Sequence, residues 1–321
     1  MSSATQSIPV IVSDIIEVNT LVKRFVFKPK SQERLPSFSG GAHTVVLMHD
    51  GGRVRRNPYS LMSDPNDQSQ YAISVRRDDA GRGGSLFMHN KVQIGDELEI
   101  SYPVNLFSLD LTAHKQLFFA GGIGITPFLA HIKQLTRLGG DWELHYASRS
   151  QALASYSDWL SDHYDDRVHL YFDDQDQKIG LDALLGGQTV GTHLYVCGPR
   201  GMIEWVCESA RRLGWPEGTI HAEEFLAPQP GKPFNVQLAS SSKTVEVGAQ
   251  ESLLEALERI GVDAPYLCRG GACGQCETRV IDYDGKFLHL DHWLDDDDKS
   301  RGDKIMPCVS RFEGKTLILD R

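Results

Sequence analysis

From Ile8 to about Asp110 the chain alternates apolar and polar positions in short runs broken by turn residues: Pro9–Val12, Lys23–Phe27, His43–Leu47, Tyr71–Val75 and Glu97–Ile100. A period of two at this strand spacing predicts an antiparallel β-barrel over residues 1–110. Beyond Lys115 the period changes. Leu117–Ala120 is wholly apolar and reads as a buried strand, while Phe128–Leu138 carries Leu129, Ile132 and Leu135 on one helical stripe. Strands follow at Trp142–Ala147, Val168–Phe172 and Leu194–Val196, then a helix over Met202–Leu213. Strand alternating with helix predicts an α/β domain built on a parallel sheet, residues 111–227. The stretch Ala227–Pro233 holds three prolines and a glycine, so 228–233 reads as a linker. The remaining 234–321 opens with a hairpin, Phe234–Leu238 and Lys243–Val247, and a helix over Ser252–Ile260, which together describe a small α+β unit. The chain is multidomain and has no internal repeat.

Composition narrows the function. A hydrophobic fraction of 40% and a charged fraction of 24% are ordinary for a globular chain of 321 residues. No apolar run is long enough to span a bilayer, and Met1–Ser7 lacks the charged and apolar regions of a signal peptide, so a cytoplasmic protein is expected. A net charge of −10 argues against nucleic acid and is compatible with a basic patch on a protein partner. The run Asp295–Asp298 lacks the alternation and glycine turn of a calcium loop and reads as a solvated helix start or loop.

Four cysteines carry the sharpest signal. Cys268, Cys273 and Cys276 follow the order C-x4-C-x2-C, with Cys308 a distant fourth, which is the ligand spacing of a plant-type [2Fe–2S] cluster. Gly270, Gly271 and Gly274 let such a loop wrap a cluster and aim amide N–H groups at sulfur. A zinc ribbon is the competing reading, but zinc sites pair two short knuckles, whereas 31 residues separate Cys276 from Cys308. Six cysteines in all are too few for a disulfide framework.

Two further signals point to nucleotides. Gly121-Gly122-Ile123-Gly124-Ile125-Thr126-Pro127 joins a buried strand to a helix, where open α/β sheets admit a pyrophosphate, and Cys197-Gly198-Pro199 ends another strand of the same sheet. A tight strand–helix turn without ligand fits the first segment equally well. In the barrel, Arg55-Arg56-Asn57-Pro58-Tyr59-Ser60-Leu61 clusters guanidinium, phenol and hydroxyl groups suited to a phosphate and an aromatic ring; an exposed basic loop is the alternative. Arg82-Gly83-Gly84-Ser85 precedes a helix containing Leu86, Phe87 and Met88 and offers an anion site.

Taken in order, Tyr59-Ser60-Leu61, Gly81-Arg82-Gly83-Gly84-Ser85, Gly121–Pro127, Cys197-Gly198-Pro199, Glu224-Phe225 and the cysteine loop resemble the phthalate dioxygenase reductase family across essentially the whole chain. The same family includes reductases of vanillate demethylases and carnitine monooxygenase. The resemblance implies a flavin-binding barrel, a pyridine-nucleotide domain and a β-grasp ferredoxin domain, with FMN and NADH as cofactors. By position it implies that Arg56, Tyr59 and Ser60 hold the flavin. Two residues, Asn57 and Pro58, stand where the motif has one, so the phosphate ligand is either Arg55 or Arg56. Gly83, Gly84 and Ser85 match the flavin-phosphate turn, and Phe225 an aromatic that closes over the flavin ring. Gly121, Gly122, Gly124, Thr126, Pro127, Cys197, Gly198 and Pro199 fall in the nicotinamide crevice, with Thr126 and Cys197 at the hydride-transfer site. Ser148-Arg149 ends the second strand, where an arginine suits a 2′-phosphate, yet the resemblance points to NADH.

A nicotinamide gives two electrons and the cluster takes one, so a flavin between them makes the chain an enzyme that converts pairs to singles. The expected recipient is a terminal Rieske-type oxygenase. A cytochrome P450 or diiron oxygenase as recipient, and a flavin/iron–sulfur redox sensor, are the alternatives. A monomer is the favoured state.

Overall fold

The computed structural model describes residues 7–31 and 33–321, so Met1–Gln6, on which most of the signal-peptide expectation rests, lies outside the described residues. Two compact units emerge, one of residues 7–77 and 85–225, the other of 78–84 and 226–321.

The first unit contains two sheets. Strands β1 (Ser7–Asn19), β2 (Val22–Pro29), β3 (Ala42–Asp50), β4 (Arg53–Ser60), β5 (Tyr71–Arg76), β6 (Glu97–Ser101) and β7 (Val104–Asn105) form an antiparallel sheet in the order β4-β3-β6-β1-β2-β5, with β7 beside β3. Its inward positions come from five strands, among them Val10, Phe25, Val46, Ile73 and Ile100, and close on one core with Met88 of helix α1 (Gly84–Asn90). β4 corrects the reading of its segment as an exposed basic loop. It pairs with β3 along its whole length through a hairpin whose central Gly51 and Gly52 take φ of 58° and 87°. Both angles are left-handed, as a two-residue type I′ turn requires, and the Gly-Gly pair was legible. Pro58 obscured the strand, and it is tolerated because β4 is an edge.

The second sheet is parallel throughout. Strands β8 (Lys115–Gly121), β9 (Asp141–Ser148), β10 (Val168–Phe172), β11 (Thr192–Cys197) and β12 (Ile220–Glu223) lie in the order β10-β9-β8-β11-β12. Chain order proceeds outward from β8 to β10 and then restarts at β11 on the other side. The switch point between β8 and β11 opens a crevice at their carboxyl ends. Helix α2 (Thr126–Leu138) has Pro127 in its first turn and Gly139 at φ 68° past its end, the asymmetry that proline and glycine favour at helix termini. Helices α3 (Ser157–Tyr164), α4 (Leu181–Gly186) and α5 (Arg200–Arg212) complete the layers. Val26, Met62, Ala72 and Phe107 join the core of this sheet, so the expected division at residue 110 crosses shared packing.

The second unit carries strands β13 (Phe234–Leu238), β14 (Lys243–Val247), β15 (Thr278–Leu288), β16 (Lys304–Ile305) and β17 (Arg311–Leu319) in the order β14-β13-β17-β15-β16. β13 runs parallel to β17 and antiparallel to β14, with helix α6 (Leu253–Arg259) packing its Leu253, Leu254 and Leu257 into the core. The run Asp295–Asp298 starts helix α7 (Asp296–Arg301), and Asp295 caps it by accepting from the Asp298 amide at 2.7 Å. The proline-rich stretch is fastened to this unit: Gly231 N–H donates to Ala249 O at 2.9 Å and Arg311 donates to Lys232 O at 2.9 Å. All six cysteines are free thiols, and no helix among the described residues is long and apolar enough to cross a membrane.

Ser252 and Glu255 cap α6 reciprocally, and the same Glu255 carboxylate receives Arg82 at 2.6 Å, with only 12% and 7% of the two side chains exposed. Arg82 is thus committed to a carboxylate within its own unit. Ser252→Ala is expected to cost about 1 kcal/mol, the worth of an N-cap. Glu255→Ala removes cap and counter-charge together and is expected to cost about 3 kcal/mol or more. Urea denaturation followed at the C-terminal unit's far-UV signal checks both.

Candidate functional site

The cysteine loop turns on left-handed backbone at Arg269, Gly271 and Gly274, with φ of 52°, 72° and 74°. Cys268, Cys276 and Cys308 are buried and Cys273 is half-buried. The four sulfurs meet in hydrogen-bonded pairs. The Cys273 thiol donates to Cys268, whose pKa is held down to about 5 by that bond, assisted by the amides of Gly270, Ala272 and Cys273. The Cys308 thiol lowers Cys276 in the same way, while burial and the donor role raise Cys273 and Cys308. Gly270 N–H reaches Cys268 Sγ at 3.3 Å. Four convergent thiols with amides aimed at them, and no histidine or carboxylate among the donors, suit a soft iron–sulfur centre. Arg269, which sequence alone did not single out, turns inward at 5% exposure, stacks 3.7 Å over Tyr266 and pairs with Glu258. It fixes the loop from behind.

The crevice at the sheet's switch point encloses about 780 Å³ and is lined by Gly121, Gly122, Gly124, Gly198, Pro199 and Phe225 among others. Close approach explains the glycines. A Cβ on Gly124 would fall 2.2 Å from the Cys197 carbonyl oxygen, and one on Gly121 2.6 Å from Pro199. The walls carry Arg76, Arg149, Lys178 and Arg200 against Asp173 and Glu224, a cationic surplus suited to a pyrophosphate. Phe225 is 46% exposed and stands at the rim.

Three expected residues sit behind this wall. Thr126 is buried and its hydroxyl donates to Ile123 O at 3.0 Å, which ties the glycine turn to α2. Pro127 is buried in the first turn of α2. Cys197 is fully buried, and burial, with the neighbouring Glu223 carboxylate, pushes its thiol well above the ordinary range. It is no nucleophile. Glu223 is the residue that sequence reasoning missed. It pairs in register with Cys197, its Oε2 is closed off without a hydrogen-bond partner, and desolvation pushes its carboxyl up to about 8. Its only signal was a second acid before Glu224-Phe225.

On β4, strand parity puts Arg55, Asn57 and Tyr59 on one face and Arg56 and Ser60 on the other. Arg55 meets Asp50 at 3.4 Å, Arg56 lies 3.5 Å from Val54 O, and the Asn57 amide donates to the Tyr59 phenol at 3.4 Å. Burial raises the Tyr59 phenol, so it stays neutral. Ser60 is buried. Gly83, at φ 91°, turns the chain before α1, which begins Gly84-Ser85.

One further cluster, Glu143, His145 and His169, brings its donor atoms within 4.8 Å of one another. The two imidazoles stack at 4.8 Å, nearly parallel, so their lone pairs do not converge, and Lys115 already holds the carboxylate at 2.6 Å. This is a satisfied hydrogen-bond network.

Residues 236–313 match the 2Fe-2S iron-sulfur cluster binding domain, and residues 101–220 match the N-terminal domain of dimethylamine monooxygenase subunit DmmA-like proteins. The heme-dependent oxidative N-demethylase beta subunit of Ectopseudomonas mendocina is 44% identical over 96% of this chain and 97% of that protein. The carnitine monooxygenase reductase subunit of Acinetobacter baumannii is 40% identical over the full length of both. The solved structure of phthalate dioxygenase reductase, described as a modular structure for electron transfer from pyridine nucleotides to [2Fe–2S], superposes with a TM-score of 0.89 at 32% identity over 98% of each chain. The chain belongs to the phthalate dioxygenase reductase family of flavin-dependent iron–sulfur oxidoreductases.

Proposed function

We propose that the protein is the cytoplasmic reductase component of a Rieske-type oxygenase system, taking electrons from NADH by way of FMN and a [2Fe–2S] cluster to the terminal oxygenase. The observation that carries this reading is the presence in one chain of a glycine-walled crevice at a parallel-sheet switch point and a four-thiol loop. The chemistry supplied by bound FMN is the conversion of a hydride's electron pair into single electrons, which NADH and the cluster do not exchange directly.

The chain's own residues bind and orient. Gly121, Gly122, Gly124 and Gly198 let the backbone approach the dinucleotide, and Arg76, Arg149, Lys178 and Arg200 offset its charge. Thr126, Pro127 and Cys197 hold the crevice wall in place. Glu223 keeps a proton beside Cys197 at neutral pH. Phe225, exposed at the crevice rim, would close over the ring of a bound flavin. Tyr59 and Ser60 would hold the flavin, Arg55 or Arg56 would bind its phosphate, and Gly83, Gly84 and Ser85 would form the flavin-phosphate turn. Cys268, Cys273, Cys276 and Cys308 ligate the cluster. The working modules are 1–110, 111–227 and 234–321, joined by 228–233, in a monomer. A second reading, delivery to a haem-containing terminal enzyme, is favoured by the 44% identity to a subunit of a heme-dependent N-demethylase.

Chromatography of released cofactor is expected to give FMN, with iron and sulfide in equal amounts, and steady-state kinetics a clear preference for NADH. Stoichiometric zinc without flavin overturns the proposal, and mainly FAD, or equal efficiency with NADPH, corrects the cofactor assignment. Cys273→Ser is expected to abolish the native cluster absorbance and electron delivery to a protein acceptor while NADH still bleaches the flavin, because a hydroxyl replaces thiolate poorly on iron.

Glu223 gives a pH signature. Its folded-state pKa, about 8, lies above the ordinary 4.5, so between these values the folded protein binds the extra proton and Glu223's contribution to stability falls as pH rises. The loss approaches about 1 kcal/mol per pH unit inside that window. Glu223→Gln cannot ionise and is expected to remove this part of the decline in calorimetric Tm between pH 5 and 8. An unchanged pH slope in the variant refutes the assignment.

A further inference from the structure

Three of the four cluster thiols are buried, and the loop's outward lip is Ala272–Gln275, where Ala272 and Gln275 are exposed and Cys273 is half-buried. An indole stands on this lip. A Cβ on Gly274 would fall 2.2 Å from Trp293 Cε2 and 2.4 Å from Cζ2, so the six-membered ring lies directly over the backbone between Cys273 and Cys276. Trp293 nevertheless leaves 50% of its surface in solvent. It is held at its other edge, where Nε1 donates to Glu277 Oε2 at 3.0 Å, and Glu277 N–H in turn donates to Gly274 O at 2.9 Å. A large aromatic that is fixed in one orientation yet half exposed has paid its ordering entropy without completing its burial.

The surroundings are acidic. Asp295, Asp296 and Asp297 begin two residues after Trp293 and are exposed. The cations of the segment are spent on neighbouring acceptors: Lys304 on Glu277 and Asp298, Arg301 on Asp298, and Lys299 on Asp291 O. Asp296 and Asp297, three and four residues along the chain from the indole, therefore present exposed charge that none of these cations pairs with, on the helix that follows it.

We infer that Trp293, seated on the cluster loop and rimmed by Asp295–Asp297, is the docking anchor for a redox protein whose own metal centre lies in an apolar recess with a basic rim. This rests on the reading of the chain as an electron donor to a protein, and names the surface through which it docks. The constraint is geometric: single electrons leave over short distances, so the partner must sit where the sulfur shell is thinnest, at the lip of Cys273. The indole supplies a preordered central contact, and the aspartates supply steering that salt screens.

The test uses the full chain with flavin and cluster bound, and cytochrome c, a basic haem protein, as probe. The dissociation constant is measured by surface plasmon resonance at low and high ionic strength, with cluster absorbance and its bleaching by NADH recorded for each variant. Trp293→Ala is expected to weaken binding at least about tenfold at both salt concentrations, and Trp293→Phe, which keeps a ring over Gly274, by no more than about threefold. Asp297→Lys is expected to weaken binding about tenfold at low salt and little at high salt, whereas Glu246→Lys, exposed on β14 at the opposite edge of the sheet, changes it less than twofold. If Trp293→Ala loses the cluster, Trp293→Phe and Asp297→Lys decide. Unchanged affinity in the Trp293 and Asp297 variants with intact cluster spectra overturns the docking surface alone, as does an equal effect of Glu246→Lys. A wild-type protein whose cluster NADH does not reduce overturns the electron-donor reading and the docking surface with it.

Discussion

At the head of the parallel sheet the Gly124 backbone lies so near the Cys197 carbonyl that a methyl group would sit 2.2 Å from the oxygen. The crevice depends on that contact. Because β8 and β11 are neighbours running the same way, their following loops meet at one point, and only a residue without a side chain lets them meet closely enough to leave room in front for a dinucleotide. The cysteine loop meets a related demand. Gly271 has Val309 and Asp291 against it, and Gly274 has Trp293, so the loop is pressed from outside while its amides face the sulfurs within. Both sites are places where backbone itself is the binding surface.

Charge is handled differently in the two units. In the C-terminal unit Arg82 meets the carboxylate of Glu255 and Arg269 that of Glu258, while buried Arg311 is held by backbone carbonyls. Neither pair needs to be a large source of net stability, since desolvation consumes much of the attraction, but each makes departure of one partner expensive and so fixes a loop. In the nucleotide unit Glu223 Oε2 has no hydrogen-bond partner, and desolvation lets its carboxyl keep its proton to about pH 8. A strained protonation equilibrium beside the crevice contrasts with the satisfied Lys115–Glu143–His145 network on the same sheet, whose acceptors are all occupied.

Much of the architecture could be read before any coordinates. The hairpin at Phe234–Leu238 and Lys243–Val247 and the strand Val168–Phe172 have the bounds that their alternation predicts, and the four cysteines converge as their spacing requires. Two helices were read two residues late at their starts, Thr126 against Phe128 and Arg200 against Met202, because Thr-Pro and Arg-Gly add nothing to the apolar stripe, while α6 was read one residue early by including its N-cap Ser252. β4 was hidden by three arginines and a proline, although the Gly51-Gly52 turn announced it.

The sequence by itself determined what short-range geometry controls: which segments alternate, where glycines permit tight turns, and that four thiols are spaced for one cluster. Only the tertiary structure decided which groups are buried and whom they meet. Arg82 finds Glu255 across 173 residues, Thr126 and Cys197 withdraw behind the crevice wall, Glu223 Oε2 is closed off from solvent, and Trp293 settles on Gly274. The reason is physical. Backbone preference and periodicity act over a few neighbouring residues, whereas desolvation and ion pairing depend on atoms brought together by the packing of distant elements, and no local pattern records which elements those will be.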